Sequence, residues 1–254
     1  MKKILITRSK HNCKALSKFL VAQNYQVFAE PLFKIKKFLD QITIKNIESK
    51  LTHDSSLALI ITSQNAIDCL KKVKIDNQIL IFAVGKNTAL ALKKLGFVNV
   101  YYPSQSSAFE LFKLILNFKF NLKSSRNSMK QISFIYLRGE QVSFDFKENL
   151  LNYGFKVQEL VVYKTIQQHN FSQQFCEDIK KNSYEMVIIF SQKSLELFFL
   201  LAKKHNLLEY FAKSCLIGFS DKIVEQAKLL AQENLKFKKI EKLSDNQILK
   251  KFYE

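Results

Sequence analysis

Residues 134–157 read FIYLRGEQVSFDFKENLLNYGFKV, and residues 4–27 read ILITRSKHNCKALSKFLVAQNYQV. Each stretch has a short apolar run ending at an Arg, a helix-length segment, a turn and a second apolar run. Arg8 and Arg138 lie 130 positions apart, as do Tyr25 and Phe155, Val27 and Val157, and Phe33 and Tyr163. A repeat of this length is too long for a solenoid. It implies two similar lobes.

The repeat continues along the chain. LIITSQNAIDCL (59–70) matches VIIFSQKSLELF (187–198) at an offset of 128, and Gly85 lies 133 before Gly218. YYPSQSSAFELF (101–112) loosely resembles KIEKLSDNQILKKF (239–252), each with a polar capping pair before an apolar helix. Apolar strand candidates fall at 3–7, 25–29, 57–62, 79–84, 98–102, 132–137, 155–162, 184–190, 214–218 and 235–240. Helical faces lie between them: Leu195, Phe198, Phe199 and Ala202; Ile223, Val224, Ala227 and Leu230; Leu111, Leu114, Ile115 and Phe118. Strands alternating with helices predict an α/β protein with parallel sheets flanked by helices. Short connections would put the boundary at the polar stretch NLKSSRNSMKQ (121–131). Exchange of segments, with one lobe inserted in the other, is the alternative, and the repeat does not choose between them.

Composition narrows the partners. The 254 residues are 47% apolar, enough for two modest cores, and carry a net charge of +18. Charges interrupt every apolar run before the ~18 residues of a membrane span. MKKILI is not followed by an export-signal core, so a cytoplasmic protein is expected. Cys13, Cys69, Cys176 and Cys215 form no C-x-x-C and no Cys/His ligand spacing, which predicts single thiols and no metal site. The positive charge suits a polyanion, although Lys, Asn, Ile and Phe are abundant throughout, as a compositional bias would make them. Only three of the 40 basic residues are Arg, and two of those hold matching places in the repeat. A planar fork kept twice suits carboxylate or phosphate recognition, or else a structural role at a sheet edge.

Ligands of open parallel sheets bind beyond the carboxyl ends of the strands. That places Thr7 and Arg8, Arg138 and Gly139, Thr62 to Asn65, Ser191 to Ser194, Gly85 to Thr88, and Gly218 to Asp221 in view. Their hydroxyls can serve as helix caps, and the free N–H groups of the helix starts can receive an anion. Six such termini serving one ligand would favour several carboxylates or phosphates. There is no G-x-G-x-x-G, Walker lysine motif, Ser-His-Asp arrangement or H-E-x-x-H. Mostly neutral polar residues suit holding a reactive substrate in shape. Tyr163, in ELVVYKT (159–165), could donate a proton to a departing hydroxyl. Its counterpart Phe33 lacks the hydroxyl, so packing alone does not demand Tyr.

With these pieces assembled, the chain resembles the uroporphyrinogen-III synthase family. The resemblance rests on ILITR, AEPLFKI, IITSQNAI, FAVGKNTALALKKLGF, YLRGE, ELVVYKT, IIFSQKSL and LIGFS, in family order over nearly the whole chain. It implies two α/β lobes with segment exchange: residues 1–33 with 167–254, and an inserted lobe of 36–164. Two extended connectors near 32–36 and 161–166 would join them. It also implies a reaction. Hydroxymethylbilane, a linear tetrapyrrole with eight carboxylates, loses its terminal hydroxyl. The far pyrrole then attacks through its substituted carbon, and a spiro intermediate reopens and recloses with that ring inverted. Proximity and orientation would carry much of the task. The resemblance implies no cofactor and no metal.

On this resemblance Tyr163 is the general acid. Thr62, Ser63, Asn65, Gly85 and Thr88 match the family's substrate loops in the inserted lobe, and Ser191, Gly218 and Ser220 match those in the other. Thr7, Arg8, Arg138 and Gly139 complete the expected substrate contacts from the strand-end reading. Asp221 stands where the family often has a hydroxyl, and is expected to cap its helix and point away. A monomer that needs neither nucleic acid nor a membrane is expected. The alternative is a bilobal module that captures a small anion without chemistry. Nucleic-acid binding has only the spread of Lys in its favour, with no basic helix, aromatic RNP-like motif or zinc finger.

Overall fold

The computed structural model describes residues 2–9, 13–51, 57–123, 132–230 and 235–240. It divides into two compact units, Met1–Lys34 with Ile166–Glu254 and Ile35–Thr165. The polar stretch 121–131, of which 124–131 lie outside the described residues, falls within the bounds of the second unit.

The first unit holds a five-stranded sheet. Its strands are β1 (Lys3–Ile6), β2 (Gln26–Ala29), β9 (Tyr184–Ile188), β10 (Cys215–Gly218) and β11 (Lys236–Lys239), in the order β11-β10-β9-β1-β2. The second holds β3 (Phe33–Lys37), β4 (Leu57–Ile61), β5 (Leu80–Ala83), β6 (Val100–Tyr101), β7 (Ser133–Gly139) and β8 (Lys156–Gln167), in the order β3-β8-β7-β4-β5-β6. The pairs β1–β2, β1–β9, β9–β10 and β10–β11 are parallel, as are β4–β5, β4–β7, β5–β6 and β7–β8. Replacing each strand by its repeat partner turns one order into the other, with β3 added. Each sheet therefore joins strands from both copies of the repeat: β1 and β2 with β9 to β11, and β4 to β6 with β7 and β8.

Alternation along the strands explains the cores. Successive side chains leave a strand on opposite faces. In the first unit Leu5, Val187 and Leu216 join one buried cluster, while Ile4, Ile6, Met186, Ile188 and Ile217 join another. In the second, Leu59, Ile61, Ile135 and Leu137 pack on one side and Ala58, Ile60, Phe134 and Tyr136 on the other. Strands such as LALII are apolar on both faces because both are covered.

Nine α-helices lie among the described residues: α1 (Lys14–Ala22), α2 (Gln41–Leu51), α3 (Ile67–Leu70), α4 (Lys86–Lys93), α5 (Ala108–Lys123), α6 (Phe146–Leu151), α7 (Gln173–Lys181), α8 (Gln192–Lys204) and α9 (Asp221–Leu230). The expected face of α8 is fully buried. On α9, Ile223 and Ala227 are buried but Leu230 is exposed. Among the described residues no helix is long and apolar enough to cross a membrane. All four cysteines are free, three of them buried, and burial pushes the Cys69 thiol up to about 12.

One polar cluster ties β1 to the helix α7. Lys3 Nζ donates to Asp178 Oδ1 at 2.7 Å, Tyr184 Oη donates to Asp178 Oδ2 at 2.6 Å, and Asn182 Nδ2 donates to Oδ1 at 3.1 Å. Burial pushes the Asp178 carboxyl up, but these donors outweigh it and hold it below the usual carboxylate range. In acid the unfolded carboxyl takes up its proton first. The contribution of Asp178 is thus present above about pH 4 and lost as pH falls through the lowered folded value. Tyr184→Phe removes one charged hydrogen bond and should cost about 2 kcal/mol in chemical denaturation. The stability lost between pH 5 and pH 3 should be smaller in Asp178→Asn than in the parent chain.

Candidate functional site

A cavity of about 430 Å³ opens at the carboxyl ends of the second unit's strands. Thr62 follows β4, Val84 follows β5, and Tyr136 and Gly139 lie near the end of β7. Ser106, Ser107 and Ala108 bring the start of α5, Gln141, Val142, Ser143 and Phe144 come from the loop after β7, and Tyr163 comes from β8. The polar side chains here are hydroxyls and one amide. They can donate to a carboxylate or a departing oxygen without bringing a competing charge.

The placement of Tyr163 has two causes. The β7–β8 register slips between Arg138 and Gly139: Arg138 pairs with Val161, but Gly139 pairs with Tyr163. The extra residue, Val162, turns into the core and is 1% exposed, and the slip re-aims Tyr163. The ring of Tyr163 then lies on the backbone of Gly139. A Cβ at that position would stand 2.7 Å from Tyr163 Cζ and 2.9 Å from its Oη, which only glycine avoids. Tyr163 O accepts from Glu140 N at 3.0 Å, fixing the strand just past the slip.

A second hydroxyl pair stands in the cavity wall. Thr62 Oγ1 and Tyr136 Oη are 2.9 Å apart. Burial pushes the Tyr136 phenol up, so it is neutral and holds its proton. Gly85 begins α4 with an extended backbone that any residue adopts. Its constraint is steric: a Cβ there would meet Ser106 Cβ at 2.7 Å. Gly85 thereby lets the Ser106–Ser107 turn close against the sheet, and Ser107 Oγ caps α5 by accepting from Glu110 N at 3.1 Å.

Several expected contacts are committed elsewhere. Ser63 Oγ accepts from Asn65 N at 3.2 Å, capping the short turn that starts α3. Thr88 is 6% exposed inside α4 and is not in the cavity wall. Arg138 lies against Glu159, with Nε 3.1 Å from Oε1, and its Nη1 donates to the carbonyls of Gly139 and Glu140 at 3.0 and 2.9 Å. In this structure its fork holds the end of β7 to β8.

The first unit has its own set at its strand ends. Thr7 is buried and donates from Oγ1 to Ile188 O at 2.8 Å. Ser191 caps α8, accepting from Ser194 N at 3.1 Å, with the two hydroxyls 2.8 Å apart. Ser220 caps α9, accepting from Ile223 N at 3.3 Å. This corrects the expectation for Asp221. It does not cap the helix; its exposed carboxylate takes Lys239 Nζ at 2.6 Å, so its charge is paired. Gly218 lets α9 close on β10, since a Cβ there would reach Ile223 Cγ2 at 2.8 Å. Arg8 is exposed, its guanidinium 4.4 Å above the ring of Phe190.

Sequence reasoning passed over Tyr136, Gln141 and Ser143, and took Ser106 and Ser107 only for a cap. Tyr136 carried a signal, a hydroxyl within the apolar run FIYL, but it sits at a core position of the alternation. Gln141 and Ser143 lie in a loop with no periodicity to mark it. Among the described residues no group of three or more His, Cys, Asp or Glu is placed to hold a metal ion.

Comparison with known proteins bears on what this arrangement is for. No curated protein matches the chain. Among solved structures, the uroporphyrinogen-III synthetase of Helicobacter pylori matches with a TM-score of 0.58 at 16% identity, covering 100% of both chains. A mutant uroporphyrinogen III synthase from the extremely thermophilic bacterium Thermus thermophilus matches with a TM-score of 0.55 at 12% identity, covering 100% of this chain and 98% of the other. At these identities the likeness is one of fold. The family model described as "Uroporphyrinogen-III synthase HemD" matches residues 14–234, most of the sequence, and the chain therefore belongs to the uroporphyrinogen-III synthase family.

Proposed function

We infer that the chain cyclises hydroxymethylbilane to uroporphyrinogen III, inverting the terminal pyrrole with loss of water, in tetrapyrrole and haem biosynthesis. The observation that carries the reading at residue level is the cavity of neutral hydroxyls closed on one side by Tyr163. Loss of the substrate hydroxyl needs a proton at the leaving oxygen. A phenol whose ring is seated on Gly139 can supply it from a fixed direction. In this reading Thr62, Tyr136, Ser106 and Ser107, which line the cavity, hold that end of the substrate, with the start of α5 favouring its carboxylates. The remaining demand is to keep the two ends of a flexible chain together until the inverted ring closes, which is a matter of orientation.

At the strand ends of the first unit Arg8, Ser191 and Ser220 serve as that unit's substrate contacts, while Gly85, Gly139 and Gly218 act by letting neighbours approach. Thr7, Ser63, Asn65, Thr88 and Arg138 support the loops that carry the contacts. The excess of Lys raises the local concentration of a polyanion without contacting it. No cofactor, nucleic acid or membrane takes part in this reading, and the chain acts as a cytoplasmic monomer. A binding module without chemistry would hold the same acids but leave the product distribution unchanged.

Purified protein given freshly made hydroxymethylbilane should yield the type III isomer, read by chromatography of the oxidised products. Type I alone would remove the enzymatic reading. Tyr163→Phe should slow turnover by about 10²-fold, the usual scale for a positioned general acid, with the circular dichroism spectrum and melting temperature retained. Gly139→Ala should displace the Tyr163 ring and lower kcat by at least about tenfold, while destabilising the chain by about 1–3 kcal/mol through overpacking. Full activity in Gly139→Ala would separate Tyr163 from the reaction.

A further inference from the structure

The two Arg residues related by the repeat have different fates. Arg138 is committed to Glu159 and two carbonyls. Arg8 makes no ion pair among the described residues and is exposed. It lies over Phe190, whose ring stacks on Phe219 at 5.3 Å between centroids and 26° between planes. Arg8, Phe190 and Phe219 follow β1, β9 and β10, three neighbours in the sheet. They form a continuous stack across the edge where ligands of parallel sheets bind. Their repeat counterparts in the second unit are Arg138, Thr62 and Lys86. Thr62, in the cavity wall of the second unit, stands where the first unit has Phe190.

A guanidinium over a ring is held by cation–π attraction, which consumes none of its N–H groups, so the fork can still grip a carboxylate with two bonds. Phe190 and Phe219 are half-buried, so their exposed parts offer an apolar border beside that fork. A carboxylate on a flat, electron-rich ring satisfies both parts. The starts of α8 and α9, capped by Ser191 and Ser220, lie next to the stack and add a further preference for negative charge.

We propose that Arg8, backed by Phe190 and Phe219, is a receptor for a carboxylated pyrrole, and that the two Phe are positioning residues that set the direction of the Arg8 fork. This rests on the cyclase reading for the identity of the ligand. The stack acts on substrate affinity.

The test uses full-length protein with two readouts: steady-state turnover of hydroxymethylbilane, and binding of uroporphyrin III followed by porphyrin fluorescence anisotropy. Arg8→Gln and Phe190→Leu should each raise KM and the uroporphyrin Kd by about tenfold, leaving kcat and the type III product unchanged. Arg8→Lys, which keeps charge but not the planar fork, should recover little. Phe190→Tyr, which keeps the ring, should recover nearly all, and it also separates loss of the ring from loss of folding. Parental KM and Kd in Arg8→Gln and Phe190→Leu would overturn the proposal while leaving the cyclase reading intact. Wild-type protein that binds uroporphyrin, loses it on these substitutions and yet forms no type III isomer would overturn the cyclase reading and keep the stack.

Discussion

The seat of Tyr163 on Gly139 is the contact on which the second unit's candidate site depends. It needs two irregularities at once. The strand must slip register by one residue so that Tyr163, rather than Val162, comes opposite residue 139, and that facing residue must have no Cβ. A regular ladder would give Tyr163 to the opposite face. Any side chain at residue 139 would push its ring away. The phenol is thus aimed by backbone geometry, with no polar partner needed to hold it in place.

A second theme is the division of labour among hydroxyls. Serines at the strand ends were equally readable as caps or as ligands. The structure gives Ser63, Ser107, Ser191 and Ser220 to helix starts, and Thr7 to a carbonyl. The hydroxyl pair joining Thr62 and Tyr136 instead stands in a cavity wall. Capping and binding are not exclusive. A cap orders the loop whose free N–H groups then face outward.

Much of the architecture was legible because it rests on periodicity. Apolar runs of strand length and the 130-residue repeat are properties of the core, and each core residue carries the pattern. The strand β3 was expected only as a connector, on the family resemblance; FKIKK alternates with Lys, and only Phe33 and Ile35 are half-buried in it. Wiring was not legible from the repeat, since strands from both copies fill each sheet and the equivalent sequences look alike in either arrangement. In the cavity wall, Tyr163 was singled out by a hydroxyl that packing did not require. Tyr136 was not, because its position obeys the core alternation. The slip at Val162 leaves no mark in composition at all: ELVVYKT is uniform β-forming sequence, and only the pairing partner reveals the extra residue.

The discontinuous first unit has a consequence for how the chain is made. Its central pair joins β1 to β9, residues near the start to residues beyond 180. The strands β1 and β2 emerge from the ribosome together, long before β9 exists. The intervening unit, Ile35–Thr165, has all of its own strands by the time β8 is complete, and can close on itself first. Loop closure across so many residues costs less once that stretch is already compact. The order of assembly follows: the middle of the polypeptide folds ahead of its ends, and the nascent N-terminal segment, with its apolar ILI, is what a chaperone would need to shield in the meantime.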